Sequence, residues 1–414
     1  MTAFAVRGGE LHAEDVPLSE IAARFDTPTF VYSRREIEDG YRAYDEAFAD
    51  VAHLVCYALK ANSNLSIIDV LARAGSGFDI VSGGELARVI AAGGDPRKVV
   101  FSGVGKTEAE MKQGLDAGIL CFNVESASEL ARLNRVASGS GRRAPVSLRV
   151  NPDVDPRTHP YISTGLKESK FGIAFDRALE LYRHGAAMPG IEIRGVDMHI
   201  GSQITELEPF CEAAAKVFGL VDGLAEEGIE LTHVDLGGGL GIRYRDEQPL
   251  DLAAYATAVK RALGHRRCKL LFEPGRYLVG NAGVLLTRVT CLKPGDTRNF
   301  AIVDAGMNDL LRPALYEAWH GVEAVRPRTG ENVCWQIVGP ICESADFLAH
   351  DRSLVLREDD LLAIRSAGAY AMAMASNYNS RPRACEVMVD GSAVHVVGRR
   401  ESEAEMFVRE STLP

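Results

Sequence analysis

No stretch of the sequence approaches the apolar length of a membrane span, and Met1 to Gly9 contains no signal-like apolar core. The eight cysteines are scattered, without a close pair at zinc-ligand spacing. Neither a metal site nor a disulfide framework is indicated, and a reduced, cytoplasmic setting fits best. A surplus of basic residues is missing too. The formal charge is −11, whereas a nucleic-acid partner would favour a basic face. Internal repeats, low-complexity segments and Gly/Ser linkers are also absent. These absences leave a globular protein that acts on small molecules, with no nucleic-acid or membrane partner expected.

What is present is ordinary globular composition, 46% hydrophobic and 25% charged, in 414 residues, long enough for two or three domains. Residues 3–33 predict a strand pair around Gly8-Gly9, a helix from Leu18 to Phe25 and a strand from Thr29 to Tyr32. From Arg35 helical and strand patterns alternate. The strand-like runs are Val51 to Ala58, Phe78 to Ser82, Lys98 to Ser102, Ile119 to Val124, Val146 to Val150, Ile193 to Ile200, His233 to Leu236 and Lys269 to Phe272. Eight strands alternating with helices over this length predict a (β/α)8 TIM-like barrel across residues 35–280. An open doubly wound sheet is the competing arrangement. The connection from Asn151 to Ile173 has no periodicity, and its His159, Tyr161 and Lys170 suggest a functional loop. Beyond about Asn281 short strand candidates follow one another: Val284 to Cys291, Asn299 to Asp304, Val333 to Val338, Ser353 to Leu356, Leu361 to Ser366, Ala384 to Val389 and Ala393 to Val397. They predict a β-rich domain of residues 281–414, joined by the strands of residues 1–34.

Barrel enzymes carry their chemistry at the carboxyl ends of the strands. Those ends hold Lys60, Asp79, Ser102, Glu125, Arg149, His199, Gly237-Gly238-Gly239 and Glu273. A single strand-end lysine or aspartate is commonplace, as a surface residue or a helix cap; a whole rim of such groups is not. Lysine is the side chain whose amine is readily tuned by burial to form a Schiff base. The glycine run follows the seventh strand, and Glu273-Pro-Gly-Arg276 follows the eighth. The loops after strands 7 and 8 are the common barrel phosphate site. Amine, phosphate cradle and strand-end carboxylate together suggest pyridoxal 5'-phosphate, which needs a donor to its aldehyde, donors to its phosphate and an acid beside its pyridine nitrogen. Glu273 suits the last role, and His199 could stack on the ring.

Tyr57-Ala-Leu-Lys-Ala-Asn62, Ser82-Gly-Gly-Glu85, His199-Ile-Gly-Ser-Gln203, Gly237-Gly-Gly-Leu-Gly241, Glu273-Pro-Gly-Arg276 and Cys342-Glu-Ser-Ala-Asp346 resemble the alanine-racemase-fold pyridoxal-phosphate decarboxylases. The similarity runs in order from about Thr29 to beyond Arg383. His159-Pro-Tyr-Ile-Ser-Thr-Gly165, Ser169-Lys-Phe-Gly172 and Ser376-Asn-Tyr-Asn-Ser-Arg-Pro382 resemble the subfamily that decarboxylates meso-2,6-diaminopimelate. Asp359-Asp360 and Ala371 depart from its pattern without touching the chemistry. The resemblance implies that Lys60 holds the cofactor and Glu273 pairs with its ring nitrogen, while His199 stacks on the ring. It places Ser202, Gly239, Gly275, Arg276 and Tyr370 around the phosphate, with Asp79 and Arg149 in support. Arg276, Arg312 and Tyr316 would grip the far carboxylate of the substrate, and Glu343 would lie near its far amino group. Cys342 would be the proton donor. Cys342 and Glu343 would enter from a second subunit, which makes a homodimer with shared active sites.

The expected activity is therefore decarboxylation of meso-2,6-diaminopimelate to L-lysine and carbon dioxide, the last step of lysine biosynthesis. A related decarboxylase of ornithine, arginine, lysine or carboxynorspermidine is the nearest alternative, and the far-carboxylate grip of Arg312 and Tyr316 argues against it. A racemase would need opposed acid and base at one carbon. A catalytically dead homologue that binds a partner protein would not need both Lys60 and Cys342.

Overall fold

The computed structural model describes residues 3–155 and 170–414. The chain divides into two compact units, one of residues 40–242 with 248–277, the other of residues 1–39, 243–247 and 278–414.

The first unit is a closed barrel of eight parallel strands, β1 His53–Ala58, β2 Gly77–Ile80, β3 Val99–Phe101, β4 Cys121–Val124, β5 Ala144–Asn151, β6 Ile191–Asp197, β7 His233–Asp235 and β8 Lys269–Phe272. Each pairs with its successor, and β8 pairs with β1, so no edge remains. Every predicted barrel strand is present, and the open-sheet alternative falls. Polar side chains end several of the strand–helix loops. Asn64 accepts from Ser66 N–H at the head of helix Leu65–Ala74. Ser82 accepts from Glu85 N–H, and Ser126 from Glu129 N–H. Thr107 and Glu110 form a reciprocal capping box. Each such cap contributes about 1 kcal/mol and fixes where the helix starts, hence where the rim residue before it stands. Outside the strands an aromatic layer of Tyr44, Phe48, Tyr255 and Phe272 seals part of the barrel wall, with the Phe48 and Phe272 rings 4.2 Å apart.

The strand period of two sorts the interior by height. Leu54, Cys56, Val100, Cys121 and Leu271 form one buried apolar cluster. Two residues further along the same strands the chain turns polar, with Ser102, Asn123 and Glu273, all buried. Ser147 on β5 and His233 on β7, both buried, also meet, Oγ to Nε2 at 2.7 Å. The apolar floor thus gives way to hydrogen-bonding groups at the carboxyl ends.

In the second unit Phe4–Arg7, Glu10–Ala13 and Val16–Pro17 make a small antiparallel sheet, and helix Leu18–Phe25 follows. The main sheet runs Phe347–Leu354, Val333–Val338, Asn299–Val303, Gly283–Lys293, Thr29–Ser33, Cys385–Asp390 and Ala393–Gly398, with Leu361–Ile364 and Val322–Ala324 branching from Gly283–Lys293. The strand Thr29–Ser33 lies between Gly283–Lys293 and Cys385–Asp390, so the N-terminal strands do join the β-rich unit. Val31, Val284, Leu286, Ala363 and Val387 pack with Leu11, Leu18 and Ile21 as its core. One expected strand is misplaced: Ser353 to Leu356 is only the tail of Phe347–Leu354. Its middle, His350-Asp-Arg352, is polar because the strand lies at the sheet edge, so the apolar run Leu354-Val-Leu356 overlaps the strand only at Leu354. Among the described residues no helix is long and apolar enough to cross a membrane.

Candidate active site

Strand β1 runs into the single turn Leu59–Ala61, which lifts Lys60 over the carboxyl end of the barrel. Its Nζ lies 2.7 Å from Asp79 Oδ2, with the lysine side chain 36% exposed and the aspartate fully buried. The other oxygen, Asp79 Oδ1, is buried without a hydrogen-bond partner among the described residues. An accessible amine is thereby held by a carboxylate that still has accepting capacity.

At the end of the neighbouring strand β8, Glu273 is bonded through one oxygen by Ser102 Oγ at 3.2 Å and Asn123 Nδ2 at 3.4 Å. Asp197, Asp235 and Glu273 bring carboxylate oxygens within 4.8 Å of one another, all buried. Removing like charges from water and crowding them makes ionisation costly. Burial, then the carboxylates of Asp235, Asp79 and Asp197, hold Glu273 well above the usual carboxylate range. Burial, followed by Asp235, does the same to Asp197. Burial, with Asp79 beside it, pushes Asp235 up to about 6. Arg149 answers part of this charge, donating to Glu125 at 3.2 Å and facing Asp197 at 3.9 Å.

His199 Nδ1 accepts the Gly238 N–H at 3.2 Å, so that nitrogen carries no proton. Burial, with Arg149 and Lys60 nearby, holds the imidazole well below its ordinary pKa. The glycines have a steric reason to be glycines. A Cβ on Gly238 would lie 2.3 Å from the Glu273 carbonyl oxygen. One on Gly237 would meet Met198 O at 2.5 Å, and the backbone there is left-handed at φ 66. Glu273 N–H donates to Gly237 O at 2.8 Å, which stitches the two loops together. Beside them Arg276 Nη2 donates to Ser202 Oγ at 3.1 Å, and Gly275 packs so closely on Ala61 that a Cβ would sit 3.0 Å from it. Bare backbone flanked by an arginine and a serine is an anion cradle.

The rim residues anticipated in the barrel, Lys60, Asp79, Arg149, His199, Ser202, Gly237 to Gly239, Glu273, Gly275 and Arg276, thus stand on one end of one unit. The remaining candidates belong to the other unit. Arg312 and Tyr316 are the ends of the single-turn helix Arg312–Tyr316. Cys342 and Glu343 lie in an exposed loop. There Cys342 N–H donates to Asn379 Oδ1 at 2.8 Å, and the Tyr378 hydroxyl donates to Glu343. Tyr370 sits at a left-handed φ of 55, a strained backbone for a non-glycine residue. His159 and Tyr161 lie outside the described residues. Sequence reasoning gave no part to Asp197, Asp235, Asn123 or Asn379. The first two precede His199 and Gly237 by two residues, so the strand period could have found them.

The barrel rim meets each requirement of pyridoxal phosphate. It offers a reachable amine, a glycine cradle with an arginine for a phosphate, and a buried acid able to pair with a ring nitrogen. Residues 34–280, which contain this rim, match the family described as pyridoxal-dependent decarboxylase, pyridoxal binding domain. Fold and rim are those of a pyridoxal-phosphate decarboxylase. The chain is 61% identical over 414 residues to diaminopimelate decarboxylase of Pseudomonas aeruginosa, and 49% identical over 415 residues to that of Haemophilus influenzae, each match covering 100% of both chains. The solved structure of diaminopimelate decarboxylase from Helicobacter pylori complexed with L-lysine superposes with a TM-score of 0.92 at 42% identity, covering 95% of this chain and 99% of that one. The enzyme from M. jannaschii in co-complex with L-lysine superposes at 0.95 and 38% identity, covering 100% and 98%. The chain belongs to the diaminopimelate decarboxylase family.

Proposed function

We propose that the chain converts meso-2,6-diaminopimelate to L-lysine and carbon dioxide, acting at the D-configured centre, in the last step of lysine biosynthesis. The observation that carries this reading is full-length identity of 61% to an enzyme of that name, in a chain whose rim suits the cofactor. Pyridoxal phosphate, when bound, supplies the electron sink for the pair left behind as carbon dioxide departs. Lys60 would hold it by its amine, steered by Asp79; Glu273 would pair with the ring nitrogen, and neutral His199 would lie against the ring. Ser202, Gly237 to Gly239, Gly275, Arg276 and Tyr370 would take the phosphate, with Arg149 keeping the carboxylate cluster in register.

Arg276, Arg312 and Tyr316 would hold the far carboxylate, and Glu343 the far amino group. At the reacting carbon the bond to the carboxylate breaks and a bond to hydrogen forms. Cys342 would deliver that proton from its thiol and regain one from solvent. The exposure of Cys342 and Glu343 in the single chain supports their facing a second subunit, hence a homodimer that shares its active sites.

The substrate assignment is tested with meso-diaminopimelate against D-lysine, which keeps the reacting centre and lacks the far carboxylate. Wild type should strongly prefer the dicarboxylate. Loss of a charge-assisted contact of about 1.5–3 kcal/mol makes Arg312→Ala about 10- to 150-fold poorer on diaminopimelate, with little change on D-lysine. Equal slowing of both, or a wild-type preference for ornithine or L-lysine, would favour the general decarboxylase instead.

A further inference from the structure

Arg312 is almost completely buried, and what orients it is a histidine that no step above uses. His320 is wholly buried. Its Nδ1 lies 2.8 Å from the backbone carbonyl of Arg365, and its Nε2 lies 2.9 Å from Arg312 Nη1. The chemistry of the partners fixes the proton. A carbonyl only accepts and a guanidinium only donates, so Nδ1 carries the hydrogen and Nε2 offers its lone pair. An imidazolium would turn N–H against N–H in this place.

The ring cannot swing away. The Arg365 N–H returns a bond to Gly321 O at 2.8 Å, clamping the chain segment next to His320. Tyr244 stands edge-on to the imidazole, ring centroids 5.4 Å apart at 79°. The same Tyr244 ring covers the Arg312 guanidinium, whose carbon lies 4.7 Å from its centroid. The guanidinium is therefore held by a lone pair at one nitrogen and by an aromatic face over its plane. A planar fork recognises a carboxylate bidentately only when its plane is set in advance.

We propose that His320 is a positioning residue for substrate choice: its Nε2 lone pair presets the plane of Arg312 for the far carboxylate of a diamino dicarboxylic acid. This rests on the reading of Arg312 as the far-carboxylate grip, and the test separates the two. The cofactor-loaded variants His320→Leu, His320→Gln, Arg312→Ala and the double variant His320→Leu/Arg312→Ala are assayed on meso-diaminopimelate and on D-lysine. His320→Leu should lower kcat/KM for diaminopimelate about 10-fold or more, the loss expected when a charged group's hydrogen bond is removed. D-lysine should stay within about two-fold. His320→Gln, whose amide can both accept and donate, should recover most of the preference. The double variant should be no worse than Arg312→Ala alone.

A merely structural histidine would slow both substrates alike, and its loss would multiply with that of Arg312; either result overturns the proposal. If Arg312→Ala slows both substrates equally, the grip itself is misassigned. Non-additivity still decides in that case whether His320 acts through Arg312. Should His320→Leu fail to fold, His320→Asn is compared with His320→Gln. The shorter amide cannot span both partners and should lose the preference that glutamine keeps. An unchanged preference in a folded His320→Asn protein overturns the proposal as well.

Discussion

Replacing Gly238 by alanine puts one methyl group at the tightest point between the loops that follow β7 and β8. The new Cβ would lie 2.3 Å from Glu273 O and 3.0 Å from Glu273 C. Carbon needs a little over 3 Å from such neighbours, so the loops must part by about 1 Å. The atom pushed is the backbone of the very residue assigned to the cofactor's ring nitrogen, and the loop pushing it carries the Gly238 N–H that His199 accepts. Overpacking of this kind costs about 1–3 kcal/mol of stability, and a 1 Å misplacement can cost about 100-fold in turnover. Gly219 provides the control. It is exposed in helix Glu208–Glu226, with nothing within 4 Å of its added Cβ, so Gly219→Ala should stabilise by about 0.5–1 kcal/mol. The assay is titration of the cofactor-free protein with pyridoxal phosphate by absorbance, with thermal melts and kcat/KM on diaminopimelate. Gly238→Ala should bind the cofactor weakly and turn over about 100-fold more slowly, while Gly219→Ala behaves as wild type in both. Wild-type cofactor affinity and turnover in Gly238→Ala would refute the close-packed cradle.

Two further outcomes are expected. Borohydride reduction should trap the cofactor covalently on Lys60, located by mass spectrometry, and Lys60→Ala should lose both adduct and turnover without loss of fold. Trapping on Lys106 would contradict this, and the structure gives it little room, since Lys106 Nζ already donates to Gly103 O and Asn123 O at 2.7 Å and to Glu129 at 2.9 Å. Mixing inactive Lys60→Ala and Cys342→Ala proteins under subunit exchange should restore about a quarter of wild-type sites, because half of a random dimer mixture is hybrid and each hybrid has one intact site. Absence of recovery after demonstrated exchange would put Lys60 and Cys342 of the same subunit in one site.

The barrel was legible because two local signals coincide. Compact apolar runs such as Leu54 to Ala58 stop on a polar residue, and a capping side chain such as Asn64, Ser82 or Ser126 follows within a few positions. Strand and helix boundaries are then fixed by short-range chemistry. The β-rich unit was less legible, since pairing there is non-local. Val322–Ala324 and Val16–Pro17 are too short to show a period, and Phe347–Leu354 hides behind its charged middle. The residues of that unit carry no pattern either. Nothing around Arg312 or Cys342 in the chain separates them from surface residues, and only the family resemblance drew attention to them. His320, in Trp319-His-Gly321, has no signal at all until Arg365, 45 residues on, closes over it.

The rim also explains why its own charges point toward a ligand. Asp79, Asp197, Asp235 and Glu273 are all buried around one end of the barrel, and among the described residues the cations facing them are Lys60 and Arg149. Lys60 is engaged by Asp79 and Arg149 by Glu125, so the inner carboxylates lack a full complement of positive charge. The response is a reluctance to ionise, seen in the upward shifts of Glu273, Asp197 and Asp235, for which burial is the main cause in each case. Those same two cations, added to burial, strip the proton from His199. Acids that are reluctant to ionise and a histidine that is reluctant to charge form a nearly neutral, preorganised surface. A ring with a basic nitrogen held beside such an acid would share its proton, and any carboxylate formed would be paired with the cation formed on the ring. The carboxylate excess would therefore favour a protonatable ring over a neutral one, and a neutral His199 would add no competing charge beside it.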